Sequence, residues 1–580
     1  MTRRISIYLL LLILAFAGST SAQGLARLLP AETFLALGTQ DLLSNSGKID
    51  TFIDEFERLG VTEALITLLA DNAADSEIGT VLGESLPGAL EGLDILDLVG
   101  REAWLAVSVS SFNPLPAITL VARTSPAATS AFASLISEAA GSEMVRVSSE
   151  GGLPFYIQRF ESTDTPLNGL AYAQAEDILM LSSNPDALRA VLRQLAGSND
   201  PGFGSSEGYT GTLAKLPEGN FYGYIDYSQI ADVVEPLAKG FGFDQLVGRF
   251  VQALDTAGSS GGVVSLTESG IESQHIQALN GSGKDLALYL LLSSSFPASR
   301  TPLSFAPETA LSFTSSRIDL SGWWNYLNDL AGSTPELGGD LDDLLSIFVG
   351  VDLRSTFFSW SGTQVTTITT GLADVTEPGL PSSNLLGEVV YLIETFDEEA
   401  ARRGLSQLFS SVSAGIASFA DPMGGSGNAS TTTHVVAGTE VVSYDIASGL
   451  SLSYAISDGF VLIATSQDAM ATVLHAKQNG AGLQPGLERL KAEIPDNVSS
   501  FTLSDDRASL EGTARQLTSQ LQLVSGLSGA ANLDFDAVSQ ASGAVETFMQ
   551  FIAMRLGGTV SYTLKRDGSV ISFGKTEVSW

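Results

Sequence analysis

The chain has 580 residues, 29 basic and 65 acidic side chains, a formal net charge of −36 and no cysteine. Without cysteine there are no disulfides, thiolate zinc sites, iron–sulfur clusters or cysteine nucleophiles. The acidic excess excludes a nucleic-acid binder, which needs a basic footprint, and opposes docking on anionic lipid. A hydrophobic content of 44% supports a packed core rather than a disordered acidic chain.

Residues 1–22 have the pattern of an export signal. Arg3 and Arg4 precede the apolar stretch Ile5 to Gly18, and Thr20-Ser21-Ala22 offers small residues before a cut that leaves Gln23 first. The stretch is shorter than the roughly 20 residues that cross a bilayer, so cleavage is expected rather than anchoring. No other segment reaches spanning length, which leaves no transmembrane span after cleavage. The expected location is the cell envelope, periplasmic or extracellular.

Ile49, Phe52, Ile53 and Phe56 recur at helical spacing, as do Phe132, Leu135, Ile136 and Ala139. Ala103, Leu105, Val107 and Val109 alternate as a half-buried strand, and so do Leu153, Phe155 and Ile157. Strands are expected in adjacent pairs, 103–109 with 116–122, 170–175 with 178–182, and 262–267 with 271–278. Short turns between them imply hairpins and a mainly antiparallel sheet. Asn184-Pro185-Asp186 combines a capping side chain, a first-turn proline and an acid matched to the helix dipole. The helix it opens should bury Leu188, Val191, Leu192 and Leu195.

The pattern is then written a second time. Leu29-Pro-Ala-Glu-Thr33 returns as Phe305-Ala-Pro-Glu-Thr309, 276 residues on. Leu170 to Ala187, which describes strand, turn, strand and helix start, returns as Leu452 to Ala469 at a displacement of 282. Leu216-Pro-Glu218 matches Ile494-Pro-Asp496, and Gly261-Gly262-Val-Val-Ser265 matches Gly557-Gly558-Thr-Val-Ser561. Two homologous halves follow, 23–300 and 301–580, each a mainly antiparallel sheet covered by helices on one face, of α+β class. Gly/Pro/Ser-rich stretches at 371–387 and 421–433 are expected as surface insertions in the second half. The acidity is shared: residues 23–300 hold 14 basic and 34 acidic side chains, and residues 301–580 hold 13 and 31. It forms a solubilising coat rather than a tail.

Candidate chemistry is sparse. Gly204-Ser-Ser206-Glu-Gly208 and Gly258-Ser-Ser260-Gly-Gly262 match the nucleophile-elbow pattern, which requires a strand before the serine and a helix after it. The first lies in a polar loop and the second precedes a strand. Gly281-Ser-Gly-Lys284-Asp285 lacks the first glycine and the magnesium-binding hydroxyl of a phosphate loop. Asp340/Asp342/Asp343, Asp505/Asp506 and Asp534/Asp536 lack the alternating ligands and terminal Glu of a calcium loop. The three histidines, His275, His434 and His475, are scattered. No catalytic, cofactor-binding or metal-binding residue is therefore assigned. The aromatics Phe221, Tyr222, Tyr224 and Tyr227, and the pair Trp323-Trp324, suit core and sheet-edge packing, with an apolar or sugar-binding cleft as the alternative. Trp580 ends an alternating stretch, but the interrupting helices exclude an outer-membrane barrel.

The Leu-Pro-Ala-Glu-Thr opening and the strand-to-helix phrase Ser-Ser-Asn-Pro-Asp186-Ala187 resemble bacterial exported proteins grouped as domain-of-unknown-function family 3352. The resemblance runs through both halves, although the second begins Phe-Ala-Pro in place of Leu-Pro-Ala. It implies an envelope-associated protein and supplies no catalytic residue. The expected function is non-enzymatic, binding or building within the envelope, with an unknown envelope component or ligand as partner. The alternatives are an extracytoplasmic carrier of an apolar or lipid ligand, and a serine or carboxylate hydrolase.

Overall fold

The computed structural model describes residues 24–58, 95–110, 113–140, 145–159, 169–240, 254–280, 297–332, 350–371, 387–420, 430–447, 450–480, 482–510, 549–566 and 569–580, and the single positions 248, 251, 342 and 547. The signal stretch, the segment 281–285, and Asp340, Asp343, Asp534 and Asp536 lie outside them, as do 372–386 and 421–429 of the two expected insertions.

The strands are β1 (Thr33–Gln40), β2 (Glu102–Ser110), β3 (Asn113–Arg123), β4 (Val145–Glu150), β5 (Leu153–Arg159), β6 (Gly169–Ala175), β7 (Ile178–Ser182), β8 (Phe221–Asp226), β9 (Ser259–Thr267) and β10 (Gly270–Ala278). They continue as β11 (Ser312–Arg317), β12 (Ser361–Gly371), β13 (Glu388–Thr395), β14 (Ser430–Val436), β15 (Thr439–Ala447), β16 (Leu450–Ser457), β17 (Phe460–Ala464), β18 (Ser500–Asp505), β19 (Leu556–Arg566) and β20 (Ser569–Val578). The helices among the described residues are α1 (Ser46–Arg58), α2 (Ile95–Val99), α3 (Pro126–Ala140), α4 (Pro185–Leu195), α5 (Glu207–Gly211), α6 (Tyr227–Gly240), α7 (Leu320–Gly332), α8 (Glu398–Ala420), α9 (Gln467–Asn479) and α10 (Pro485–Lys491). The anticipated strand pairs and the helices at 49–56, 132–139 and after Asn184 are all present. Ser430–Thr433, placed in a surface insertion by the sequence reading, instead open β14; three consecutive β-branched threonines favour the extended chain.

Among the described residues every strand pairing is antiparallel, and the pairings join the strands into one sheet. Its order is β4-β5-β6-β7-β3-β2-β1-β8-β9-β10, then β20-β19-β18-β11-β12-β13-β17-β16-β15-β14. The expected two sheets are thus continuous. They meet at β10 and β20, where residues pair without a bulge from Gly270 opposite Glu577 to Ala278 opposite Ser569.

Helices cover both faces, where one had been expected. On the first face α4 and the turn at Leu25–Leu28 bury Trp104, Val121, Met180 and Phe203, while α9 and α10 bury Phe313, Leu392, Leu462 and Phe501. On the second face α8 buries Ile393, Tyr444, Tyr454 and Val461 through Leu405 and Phe409. Neighbouring residues such as Val461 and Leu462 point to opposite faces of a strand, so a continuous apolar run like Phe460–Ala464 marks a strand covered twice. The same fact corrects the phase of β2. Trp104, Ala106 and Ser108 are buried on the first face, whereas on the second face Ala103 is buried and Leu105, Val107 and Val109 are half-buried. Of the residues expected beneath α4, Leu188, Val191 and Leu192 are fully buried, and Leu195 packs at the margin. Asn184 caps that helix as anticipated, its side chain accepting from the Asp186 N–H at 2.8 Å.

At the seam, Ile276 on β10 and Ile571 on β20 oppose each other within an apolar cluster that includes Leu216 and Val263. On the other face His275 lies opposite Ser572, and its Nε2 is 2.5 Å from the hydroxyl of Ser260.

Three outcomes follow. Gly38 lies under the fully buried Trp104 ring, and an added Cβ would stand 2.7 Å from ring atoms. Gly38→Ala is expected to lose about 1–3 kcal/mol in urea unfolding by overpacking. Gly47→Ala, in α1 with open space around it, should be neutral or gain up to about 1 kcal/mol. Burial lowers the pKa of His275 below its ordinary value of 6.5. The unfolded chain therefore takes up this proton first, so the His275 contribution is complete above about pH 6.5 and is lost as pH falls towards the folded value. Urea midpoints between pH 7 and 5 should fall less in His275→Gln than in the parent.

Candidate functional site

On the second face, beside the part of the sheet that α8 covers, lies an open apolar groove of about 410 Å³. Its floor consists of cross-strand neighbours: Val365 on β12 stands opposite Ile393 on β13, and Tyr391 on β13 opposite Ile463 on β17. One wall is α7. The Asp319 carboxylate accepts from the Gly322 N–H at 2.8 Å and fixes where that helix begins. Leu320, Trp323 and Trp324, at i, i+3 and i+4, then share one side of the helix and line the groove.

A second wall, adjoining the first, is a single π-helical turn, Arg354–Phe358, which supplies Phe357 and Phe358. Such turns are rare and often sit at functional sites. Two devices hold this one. Trp360 donates from Nε1 to the Thr356 carbonyl at 2.7 Å. Gly404 of α8 lies so close that an added Cβ would be 1.9 Å from the same oxygen, so only glycine lets the helix settle there. The aromatic rings form a chain, with Trp324 to Phe358 at 5.6 Å, Phe358 to Phe357 at 5.1 Å and Phe357 to Trp360 at 5.0 Å. At the rim, Asp342 accepts from Trp324 Nε1 at 2.7 Å and pairs with Arg354 at 2.5 Å, which ties the two walls together.

All nine lining residues are apolar or aromatic, and Tyr391, 42% exposed, brings the one hydroxyl. Among the described residues, those lining the groove include no carboxylate, imidazole, amine or serine. Its chemistry is the sequestration of apolar surface from water, with aromatic walls that favour flat or flexible hydrocarbon. The volume falls within the range of small-molecule sites, about 300–1,000 Å³.

The residues weighed in the sequence take other places. Ser206 is the N-cap of α5 and accepts from the Tyr209 N–H at 3.2 Å, a structural role. Ser260 does meet a histidine, His275, but the hydroxyl lies within β9 and the residue is 6% exposed. Among the described residues no carboxylate bonds to His275, and no helix N-terminus follows Ser260, so the parts of a nucleophile elbow are not assembled. His434 is half-exposed on β14, and His475 is exposed on α9. Asp505 accepts from Gln484 Nε2 at 2.9 Å and from the Ala508 N–H at 3.1 Å, and Asp506 accepts from Ser504 and Thr559. Among the described residues no three His, Asp or Glu side chains converge on a metal-sized site. Tyr222 and Tyr224 are core residues, as packing demands, whereas Trp323 and Trp324 realise the cleft alternative. Phe357, Phe358 and Tyr391 join them without a motif of their own in the sequence, beyond the doublet Phe357-Phe358 next to Trp360. No described helix is long and apolar enough to cross a membrane.

No protein-family model matches the chain, and neither does any curated protein. Among solved structures it has a likeness to "Structure of crystal form I of TP0453", at 11% identity over 45% of this chain and 81% of that one, with a TM-score of 0.22. A second, "Structure of crystal form III of TP0453", gives 10% identity, 44% and 80% coverage and a TM-score of 0.20. Scores of this size do not establish a shared fold.

Proposed function

We propose that the chain is a non-enzymatic binding protein of the cell envelope, exported to the periplasm or beyond, that holds an apolar ligand in the groove between α7 and the π turn. The groove itself carries this reading: an uncharged, aromatic-walled cleft of about 410 Å³ kept open in a chain of net charge −36. Exposed apolar clefts of this kind mark interaction sites in soluble proteins. The pattern of residues 1–22 and the resemblance to domain-of-unknown-function family 3352 support the envelope location.

The same proposal includes descent from a duplicated half. In the sheet order, every strand of the series β4 to β10 has a counterpart numbered ten higher in the same place. Supporting details recur at matching positions. Asn184 and Ser466 cap the helices that follow β7 and β17. Glu176 and Asp458, neither of them glycine, take positive φ of 53° and 51° in the turns before those strands. Asp226 and Asp505 end β8 and β18 and cap the next helical turn at the N–H groups of Gln229 and Ala508. Gln274 and Phe573, each the fifth residue of its strand, face each other across the seam, as a two-fold axis at that point requires. One sequence landmark is out of step. With Asp226 opposite Ser259 and Asp505 opposite Gly558, Gly261 stands level with Val560 and not with Gly557.

The test uses N-phenyl-1-naphthylamine, a neutral fluorophore that brightens in apolar sites. The full chain should bind it saturably, and Trp323→Glu should weaken binding about tenfold or more, equivalent to about 1.4 kcal/mol. Native mass spectrometry of the protein from its own envelope should show a neutral or amphipathic lipid that the variant lacks. Equal probe binding by the variant, together with ligand-free native spectra, would sink the proposal.

A further inference from the structure

The sheet ends in two strands that are paired on one side only among the described residues, β4 and β14. Unpaired edges are templates for strand addition, and soluble proteins guard them with charge, proline or bulges. β4 is guarded, since Arg146 and Glu150 lie on it. β14, Ser-Thr-Thr-Thr-His-Val-Val, has no carboxylate, lysine, arginine or proline, and its register with β15 runs without a bulge. Five of its seven residues are exposed, Val435 at 71%. The chain is otherwise strongly acidic, so an uncharged β-branched edge of this length stands out.

The backbone geometry fixes what such an edge can accept. Ala437 and Gly438, at φ 50° and 81°, form a two-residue turn of the primed type between Val436 and Thr439. The residues flanking such a turn make a hydrogen-bonded pair, and bonded pairs alternate along an antiparallel ladder. Val436, His434, Thr432 and Ser430 therefore spend their N–H and C=O groups on β15. Those of Thr431, Thr433 and Val435 point outward. The three are centred on Thr433, so a second β14 laid antiparallel places Thr433 opposite Thr433 and Thr431 opposite Val435. In that register all three outward pairs of groups are satisfied on both chains.

We infer that β14 is a homodimerisation edge, on which two copies of the chain pair their β14 strands antiparallel about Thr433. Three observations favour a second copy as the occupant. The strand is self-complementary in the one register its outward groups allow. The molecule already joins its own β10 and β20 edges by antiparallel pairing about a single opposed pair, Gln274 and Phe573. Edge-to-edge contact at the far end of the sheet also keeps most of the two acidic bodies apart by more than a Debye length, about 10 Å at 0.1 M salt. Because β4 is guarded, the assembly closes as an isologous dimer and does not propagate into a filament.

The absence of cysteine makes the test direct. Thr433→Cys in the full-length chain introduces a single thiol, and the self-pairing brings the two Cα atoms to about 5.5 Å, within disulfide range. Mild oxidation is expected to convert that variant largely to a covalent dimer, while Val147→Cys on β4 stays monomeric. Light scattering of the parent should show a monomer–dimer equilibrium that rises with concentration. Val435→Pro removes an outward N–H without costing a bond to β15, so it should abolish the dimer and leave the melting curve unchanged. A parent that stays monomeric at every concentration, with no Thr433→Cys crosslink, would overturn the inference. So would open-ended oligomers, a dimer that survives Val435→Pro, or crosslinking only to an unrelated polypeptide.

Discussion

The antiparallel pairing of β10 with β20 is the constraint on which the architecture rests. It joins strands nearly 300 residues apart in sequence and makes one hydrogen-bonded surface from what would otherwise be two sheets with two more open edges. Around it the apolar residues are continuous on the first face, through Ile276 and Ile571, whereas the second face is hydroxyl-rich. One row across the sheet runs Ser273, Gly574, Ser561, Thr502, Thr314, Thr367, and only then Tyr391 and Ile463. Water-tolerant side chains thus occupy the second face near the seam, and apolar ones begin where α7 and α8 take over.

That change along one row explains the position of the groove. Helix α8 seals Val461, Tyr444 and Tyr454, and the π turn packs against both helices, against Gly404 of α8 and Trp324 of α7. Among the described residues, the sheet beside them remains apolar and open. A cleft of this kind needs rigid walls more than reactive groups. Capping by Asp319, the Asp342 bridge between Trp324 and Arg354, and the close approach of Gly404 supply the rigidity.

Much of the fold was legible in the sequence because periodicity and capping act locally. The hairpins, the helix after Asn184 and the repeated phrase around Tyr172 and Tyr454 all stand where the residues put them. The phase of β2 was not legible. Leu105 and Val107 are more hydrophobic than Ala106 and Ser108, yet the core wants small residues there beside the bulk of Trp104. The groove was half legible: Trp323 and Trp324 mark it and the Phe357-Phe358 doublet hints at it, but the π turn that brings those rings beside Trp324 depends on packing against α8. The Gly261-Gly262 and Gly557-Gly558 pairs stand at different places in their ladders, Gly261 opposite Tyr224 and Gly558 opposite Asp505, a difference in register that composition does not display.

The seam also imposes an order in time. As the chain emerges, β10 is finished long before β20, the last of the twenty strands, and loop-closure entropy makes so distant a pairing slow. Until then the first half waits with its β10 edge bare, in the state most prone to capture by another strand. The 34 acidic and 14 basic side chains of residues 23–300 give like-charged copies a mutual repulsion during that interval. Interrupting synthesis anywhere between β10 and β20 would therefore leave the β10 edge without the strand that covers it.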